Sequence, residues 1–237
     1  MAMLYDCRHR AQPRMAGMEG LKGFRTLSAA ERGVIAAATR EQFVAQGKVL
    51  FSEGEPAEAL WAVKEGLIHI IKSGPEGRDL VLEVLAPGEL FGAVVALQKR
   101  PYPASAVAAE PSVVWCLPAS LARELCQKYP TLRSTILDEV TSRLRNAHDR
   151  LRSIALERVE QRLARILLTL ADKIGQRHGN VTELNVTRQE LADMIGTTVE
   201  TTIRITSKWQ QAGIINSSRH RIAVTDLENL RRIIQGS

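Results

Sequence analysis

The sequence predicts an α+β protein in which an all-β region precedes a helical region ending in a winged helix-turn-helix. Three observations lead to this prediction. Short β-prone runs separated by glycine turns fill residues 43–117, helical periodicity dominates from Pro118 onward, and two capped helices flank Gly196. The formal charge of +6 lies wholly in residues 119–237, because the charges of residues 1–118 sum to zero. Such a concentration of positive charge favours binding of this half to a phosphate polyanion.

Composition and patterning divide the chain into four parts. We expect a loose N-terminal tail at 1–20, a β-domain at 21–118, a long helix at 119–154 and a helix-turn-helix domain at 155–237. The sequence has no run of 18 apolar residues and no apolar signal core, and its three cysteines have no paired spacing. These features predict a cytoplasmic protein with free thiols and no membrane partner.

The β-domain is predicted from short apolar runs at regular spacing. The runs cover residues 48–51, 60–63, 67–71, 80–85, 106–108 and 112–115. Turn signals separate them, and this pattern is typical of a small barrel or sandwich. The segment Gly88–Gly92 has two interpretations that the residues leave open. It is either an anion-binding turn or a barrel corner without a ligand.

The long helix carries an apolar seam whose members are spaced three and four residues apart. The seam consists of Leu137, Val140, Leu144, Ala147, Leu151 and Ile154. Its spacing matches the a and d positions of a coiled coil. One interpretation is a helix packed on its own domain. We prefer a homodimer seam, because helix-turn-helix proteins bind paired half-sites through two-fold symmetry.

Capping signals define the two helices of the helix-turn-helix. Thr187 and Glu190 form a capping box, so the first helix begins at Arg188. Gly196 lies where the chain turns sharply and favours a positive φ. Thr197 and Glu200 repeat the box and are predicted to begin the second helix.

The second helix is predicted to present a base-reading face. Its apolar stripe places Thr202, Ile205 and Trp209 inward. The outward residues near its N-terminus are Val199, Glu200, Ile203 and Arg204. Arginine donates two hydrogen bonds to guanine and glutamate accepts one from cytosine, so this face suits the major groove. The alternative is a surface ion pair between Glu200 and Arg204.

A second set of residues is assigned to DNA phosphates. Residues 214–224 contain two β-prone runs around a polar turn, which predicts a hairpin wing. The expected phosphate contacts are Thr187, Arg188, Thr198, Thr201, Lys208, Arg219 and Arg221. Such contacts position a protein without reading sequence. For the basic wing tip, a solvated loop is the alternative.

Taken together, these motifs resemble the Crp/Fnr family of bacterial transcription regulators over about residues 21–235. The carriers are Glu53–Pro56, Glu65-Gly66, Pro87–Gly92, Thr187–Ala192 and the pair Glu200 and Arg204. The resemblance implies a cyclic-nucleotide-binding-type β-roll, a dimerisation helix and a winged helix. It also implies a homodimer that binds an inverted repeat in double-stranded DNA, recruits RNA polymerase and reads a TGA-containing half-site with Glu200 and Arg204.

The resemblance further implies an effector pocket, and it indicates which of the family's ligands and cofactors to expect. The pocket would include Gly88, Glu89, Leu90, Ala104 and Ser105. Members that bind cyclic AMP carry Arg-Ser where this chain has Ala104-Ser105, so cyclic AMP is disfavoured because its phosphate loses the arginine. An iron–sulfur cluster is disfavoured because the N-terminal region holds a single cysteine. Haem stays open as a cofactor, with chemically suitable ligands in Cys7, His9, Met18 and His69.

Two further function classes were weighed against a regulator. An enzyme is not expected, because the sequence has no nucleophile–base pair, phosphate-binding loop or metal-ligand set at informative spacing. The remaining alternative is a ligand-binding module that dimerises without reading DNA. It differs from the regulator in predicting no sequence-dependent DNA binding.

Overall fold

The protein is described here by a computed structural model that covers residues 27–74 and 79–236. Within these residues the chain forms two compact units. The first contains 27–72 and 82–145, and the second contains 73–74, 79–81 and 146–236. The predicted tail at 1–20 lies outside the described residues, as do three of the candidate haem ligands, Cys7, His9 and Met18.

In the described residues from Leu27 to Tyr129, eight strands and three short helices precede the long helix. The strands are β1 Arg40–Val44, β2 Val49–Phe51, β3 Ala59–Glu65, β4 Ile68–Ser73, β5 Asp79–Leu85, β6 Leu90–Phe91, β7 Ser105–Ala108 and β8 Ser112–Pro118. The helices are α1 Ala29–Ala38, α2 Ala93–Gln98 and α3 Ala119–Lys128. A capping box of Ser28 and Glu31 begins α1. The six predicted β-prone runs all coincide with strands.

The strands of this region form two four-stranded sheets with non-sequential order. One sheet has the order β1-β8-β3-β6 and the other has the order β2-β7-β4-β5. Buried side chains from both sheets make one hydrophobic core. A cluster of aromatic side chains lies within it. The ring centroids of Phe51 and Tyr102 are stacked 3.6 Å apart, and Trp61 Nε1 donates to the Tyr102 hydroxyl at 3.0 Å. The expected barrel or sandwich is thus present, and it is closed by aromatic packing.

The predicted helix at 119–154 is wrong as a single element. The structure has two helices here, α3 and then α4 at Pro130–Leu156. Tyr129 separates them in an extended conformation, with φ −120° and ψ 94°. The physical reason is Pro130, whose ring disfavours helical backbone at the residue before it. Pro130 itself is tolerated because it begins α4.

The second unit is a helical domain with a small sheet. Its helices after α4 are α5 Val159–Ile174, α6 Arg188–Ile195, α7 Val199–Gln211 and α8 Leu227–Gln235. Its strands are β9 Gln176–His178, β10 Val181–Leu184, β11 Ile215–Ser217 and β12 Ile222–Val224, in the order β11-β12-β10-β9. Apolar residues of α5 and α6, such as Leu163, Leu167 and Leu191, are fully buried. Across residues 27–74 and 79–236, no helix combines the length and apolarity needed to span a membrane.

Candidate DNA-binding surface

The turn between α6 and α7 is built by a cap at one end and a glycine at the other. The Thr187 hydroxyl accepts a hydrogen bond from the Glu190 amide at 3.1 Å, and the Glu190 carboxylate accepts one from the Thr187 amide at 2.7 Å. This confirms the predicted capping box. Gly196 ends α6 with φ 65° and ψ 52°, a left-handed conformation that costs a residue with a side chain about 1 kcal/mol or more. The sharp turn therefore depends on glycine at this position.

The start of α7 differs from its prediction by one residue. The N-cap is Thr198, whose hydroxyl accepts from the Thr201 amide at 3.3 Å, so the expected capping box of Thr197 and Glu200 is wrong. Thr197 instead donates its amide to the Ala192 carbonyl at 3.0 Å. The left-handed turn uses this extra residue before the chain can enter a new helix.

The inward face of α7 follows the predicted stripe. Thr202 and Trp209 are almost wholly buried, and Ile205 is 8% exposed. The indole of Trp209 donates to Glu160 at 3.0 Å, which fastens the end of α7 to the first turn of α5. Packing on one side therefore fixes which side of α7 faces outward.

The outward face of α7 presents the four predicted residues near its N-terminus. Glu200, Ile203 and Arg204 are exposed, and Val199 is half-buried. Arg204 forms no hydrogen bond or ion pair with any described residue, so the alternative of an intrahelical pair with Glu200 is not realised. An unengaged guanidinium on a fixed helix face can donate to a base edge without first breaking an internal bond.

Two arginines hold the other end of α6. Arg150 of α4 donates to the Met194 carbonyl at 3.1 Å, and Arg162 of α5 donates to the Ile195 carbonyl at 3.2 Å. These carbonyls belong to the last turn of α6, where no intrahelical donor is available. The cations also oppose the negative end of the helix dipole. The sequence analysis missed both residues, because each acts on a helix more than 30 positions away.

The wing is a two-stranded hairpin, as predicted. Strand β11 pairs antiparallel with β12, and the loop between them carries the exposed basic residues Arg219, His220 and Arg221. Arg188 donates to the Ser218 carbonyl at 3.3 Å, which links the start of α6 to this loop. A basic edge thus runs from α6 to the wing tip.

The residues assigned to phosphates differ in how far they are engaged. Arg221 pairs with Glu183 at 3.0 Å and Lys208 pairs with Glu160 at 3.1 Å, whereas Arg219 has no described partner. Both pairs are at least partly exposed, so their exchange for a phosphate oxygen is inexpensive. The threonine hydroxyls at Thr187, Thr198 and Thr201 lie in the capping hydrogen bonds at the starts of α6 and α7.

The predicted seam lies along α4 and is unpaired within one chain. Leu137, Leu144, Leu151 and Ile154 are each between 55% and 64% exposed, and Ala147 is also exposed. Val140 is half-buried because it packs against the β-sheet core. Large aliphatic side chains spaced along one exposed helix stripe indicate a surface that another helix covers.

The predicted effector turn is closed by its own hydrogen bonds. Gly88 donates its amide to the Val63 carbonyl at 2.9 Å, and Glu89 donates its amide to the Ala86 carbonyl at 3.2 Å. These two donors are therefore not directed at an anion, and the turn has the hydrogen bonding of a barrel corner. Gly92 follows at φ 69°, where a Cβ would approach Tyr102 Cε1 to 3.0 Å.

The other two residues expected in the pocket are also engaged or covered. Ala104 is 4% exposed, and the Ser105 hydroxyl accepts from the Glu53 amide at 2.9 Å. The structure therefore places the predicted pocket residues in the first unit's interior and at its edge, and the Gly88 and Glu89 amides and the Ser105 oxygen already bond to protein groups.

Arg143 joins α4 to this turn and was not foreseen. Its guanidinium donates to the Leu90 carbonyl and pairs with Glu83 at 3.2 Å and with Glu139 at 3.1 Å. Only the Glu139 contact is local in sequence, as an i,i+4 helix pair. The spacing of Glu139 and Arg143 was the one available signal, and it does not reveal the contact with Leu90.

The described cysteines and His69 are buried side chains. Cys116 and Cys126 are buried free thiols, and burial raises the pKa of Cys126, which disfavours its reactive thiolate. His69 is 7% exposed on β4. Among residues 27–74 and 79–236, no three His, Cys, Asp or Glu side chains are grouped to hold a metal ion.

Two known domain families match this chain, one mainly in each unit. Residues 41–129 match the cyclic nucleotide-binding domain family, and residues 161–233 match the Crp-like helix-turn-helix domain family. The chain belongs to the Crp/Fnr family of transcription regulators. As a Crp/Fnr-type regulator it combines a ligand-binding domain with a DNA-binding domain, and the predicted fold class is confirmed.

Individual relatives are distant but cover most of the chain. An anaerobic regulatory protein of Pasteurella multocida is 27% identical over 79% of this chain and 69% of its own length. A CRP-like cAMP-activated global transcriptional regulator of Mycobacterium tuberculosis is 25% identical over 79% and 84%. A CRP/FNR-family regulator structure from Thermus thermophilus is 25% identical, covers 83% and 98%, and has a TM-score of 0.73. These relatives are transcription regulators rather than enzymes, which agrees with the expectation for this chain.

Proposed function

We propose that this Crp/Fnr-type regulator binds, as a homodimer, an inverted-repeat promoter site whose half-sites contain a TGA-like core. The observation that carries the proposal is Arg204, which is exposed, unengaged and held on a face of α7 whose opposite side is buried. Residues near the N-terminus of the second helix reach base edges when that helix lies in the major groove.

Each outward residue of α7 has a distinct proposed role. Arg204 donates two hydrogen bonds to the guanine of the core, and Glu200, one turn earlier, accepts from the cytosine amino group of its complementary strand. Val199 and Ile203 make apolar contacts that set the flanking bases. The phosphate contacts, which are Thr187, Arg188, Thr198, Thr201, Lys208, Arg219 and Arg221, fix the register of the helix.

The dimer is supported by the exposed stripe on α4. Its four large members, Leu137, Leu144, Leu151 and Ile154, have the spacing of a two-stranded coiled coil. They lie on a 27-residue helix that is already ordered in one chain, so pairing costs little backbone entropy. Two copies joined there present two reading helices, which an inverted repeat requires. We further propose RNA polymerase as a partner, on the strength of family membership alone.

The branch of the family is proposed from what the first unit lacks at the effector position. Ala104 is a buried alanine and cannot neutralise a cyclic phosphate, so we propose a regulator outside the cyclic-AMP branch. We also propose that it lies outside the iron–sulfur branch, which is supported by the single cysteine, Cys7, in the N-terminal region of the sequence. An effector of other chemistry acts by binding one dimer conformation more tightly than another.

The test is binding of the full chain to two fluorescent duplexes of equal length. One carries an inverted TGA repeat and the other carries the same bases in scrambled order. We expect the repeat to bind about 10³-fold more tightly, with affinity for both falling linearly on a logarithmic scale as salt rises. Equal affinity for the two duplexes contradicts the proposed base reading. No binding at low salt favours a ligand-binding dimer that does not engage DNA.

A further inference from the structure

A second binding site is suggested by a cavity on the first unit, away from the effector turn. The cavity has a volume of about 540 Å³ and lies where the end of α2, the start of α3 and the segment before β3 meet. Its lining includes Lys99, Arg100 and Arg123, with Glu58 as its acidic member. Cavities of roughly 300–1,000 Å³ accommodate small metabolites.

Lys99 is held in a costly backbone conformation at the edge of this cavity. It ends α2 with φ 56° and ψ 37°, and is the single residue other than glycine with a positive φ among residues 27–74 and 79–236. Glycine is the usual residue at such a helix end, and a lysine there costs about 1–2 kcal/mol. Strained residues that persist tend to occur at functional sites. The lysine side chain is thus retained at a position where the backbone favours its absence.

The cationic side chains around the cavity keep most of their hydrogen-bond donors unused by the described protein groups. Arg123 is oriented by donating to the Ala96 carbonyl at 2.8 Å, which leaves its remaining guanidinium hydrogens free. The side chains of Lys99, Arg100 and Glu58 form no hydrogen bond or ion pair with another described residue. Three cations facing one carboxylate give the cavity a net positive charge and one hydrogen-bond acceptor.

We propose that this cavity binds a small phosphorylated metabolite. The guanidinium and ammonium groups of Arg100, Arg123 and Lys99 engage the phosphate, as charge-assisted hydrogen bonds with such groups are strong and directional. Glu58 accepts a hydrogen bond from a hydroxyl group of the organic part. This ligand class combines the anion that the cations select with the donor that the carboxylate requires.

The experiment is calorimetric titration of the full chain with glucose 6-phosphate, inorganic phosphate and sulfate at one ionic strength. We expect saturable binding of glucose 6-phosphate, tighter than that of inorganic phosphate, and none of sulfate. The double variant Lys99→Gly, Arg100→Gln is expected to bind at least about tenfold more weakly, because each lost charged hydrogen bond is worth that factor or more. Thermal unfolding of Lys99→Gly alone is expected to occur at a higher temperature, since glycine relieves the strain.

Matched controls separate this site from general charge effects and from DNA binding. The variant Lys48→Gln, Arg133→Gln removes two exposed cations of the same unit outside the cavity and is expected to bind glucose 6-phosphate normally. Arg204→Ala is expected to do the same, which makes the outcome independent of the proposed DNA site. The proposal is overturned by absent binding to the wild-type chain, by equal weakening in the controls, or by sulfate binding as tightly as glucose 6-phosphate.

Discussion

One arginine from each unit shows the difference between a side chain available for recognition and one that holds the fold. In the second unit Arg204 stands on an exposed helix face without an internal partner. In the first unit Arg143 is fully committed, to two carboxylates and to the Leu90 carbonyl at the effector turn. An arginine that can bind DNA keeps its hydrogen-bond donors unpaired within the protein, whereas an arginine that holds a loop uses its donors on protein acceptors.

The same contrast extends to backbone groups. The amides of the effector turn at Gly88 and Glu89 are donated to neighbouring carbonyls. Helix α7 instead begins with the Thr198 cap, and its exposed Arg204 has no partner among the described residues. A ligand that bonds to the Gly88 and Glu89 amides would therefore have to displace the carbonyls they now donate to. DNA that bonds to Arg204 would not have to displace a protein group.

The largest effect is expected from the α4 stripe, which belongs to both units. We expect Leu144→Glu combined with Leu151→Glu to give a monomer, because charges cannot be buried in an apolar helix seam. Loss of the second reading helix removes its effective concentration and weakens binding to the inverted repeat by about 10²-fold or more. Sedimentation and anisotropy measure the two effects. Asn146→Glu, an exposed change on the same helix, is the control and should leave both unchanged; a dimeric double variant contradicts the seam.

The next effect sharpens the role of the unpaired arginine. Arg204→Ala is expected to cost about 1–3 kcal/mol on the TGA repeat and almost nothing on scrambled DNA, because only base contacts depend on sequence. Its free energy of unfolding should not change, since no internal bond is lost. Arg232→Ala removes an exposed charge from α8 of the same unit and is the matched control. Equal losses on both duplexes would assign Arg204 to phosphates instead.

Arg143→Met is expected to show the reverse behaviour in the first unit. The Leu90 carbonyl and the Glu83 carboxylate lose a donor, which lowers the free energy of unfolding by about 1–3 kcal/mol. Urea unfolding followed by tryptophan fluorescence measures this change in a Trp209→Phe background, in which the remaining tryptophans, Trp61 and Trp115, both lie in the first unit. Preference for TGA over scrambled DNA should persist. Arg145→Met, on the exposed side of α4, should unfold as the wild type does; unchanged stability of Arg143→Met would show that its contacts are dispensable.

The smallest effect concerns an internal ion pair of the second unit. The Arg165 guanidinium, which donates to Glu157 at 3.1 Å, lowers the pKa of that carboxyl below its ordinary value of 4.5. A lowered pKa stabilises the folded state above pH 4.5, and the contribution disappears as the pH falls through the folded value. Glu157→Gln should therefore cost up to about 1 kcal/mol at pH 7.

Thermal unfolding as a function of pH measures this cost. The wild type and Glu157→Gln should differ in melting temperature at pH 7 and converge in acid. A difference that is independent of pH would mean that Glu157 acts through packing rather than through its charge.

The elements that could be predicted from sequence are those whose causes are local. The Thr187–Glu190 box, the left-handed Gly196 and the inward stripe through Trp209 each follow from residues within one or two helical turns. The cap of α7 was misplaced from Thr198 to Thr197, since the extra residue used by the left-handed turn depends on a backbone bond to Ala192. Pattern alone does not show which of two adjacent threonines remains outside the helix.

The features that could not be predicted depend on contacts distant in sequence or lack a pattern. Strand β9 is exposed at every residue, so no apolar alternation marks it. Arg143 reaches Leu90 across 53 positions, and Arg162 reaches Ile195 across 33. The effector pocket was inferred from resemblance, and the hydrogen bond from the Gly88 amide to the Val63 carbonyl, which helps close its turn, joins residues 25 positions apart.

The central claim is that Arg204 reads a guanine, and a double-mutant cycle tests it most directly. The wild-type chain and Arg204→Ala are each titrated with the TGA repeat and with the same duplex carrying 7-deazaguanine, which lacks the N7 acceptor. We predict that the two changes are strongly non-additive, with a coupling free energy of about 1–3 kcal/mol, because each removes the same hydrogen bond. Additive losses would contradict the account, since they would place Arg204 away from that base.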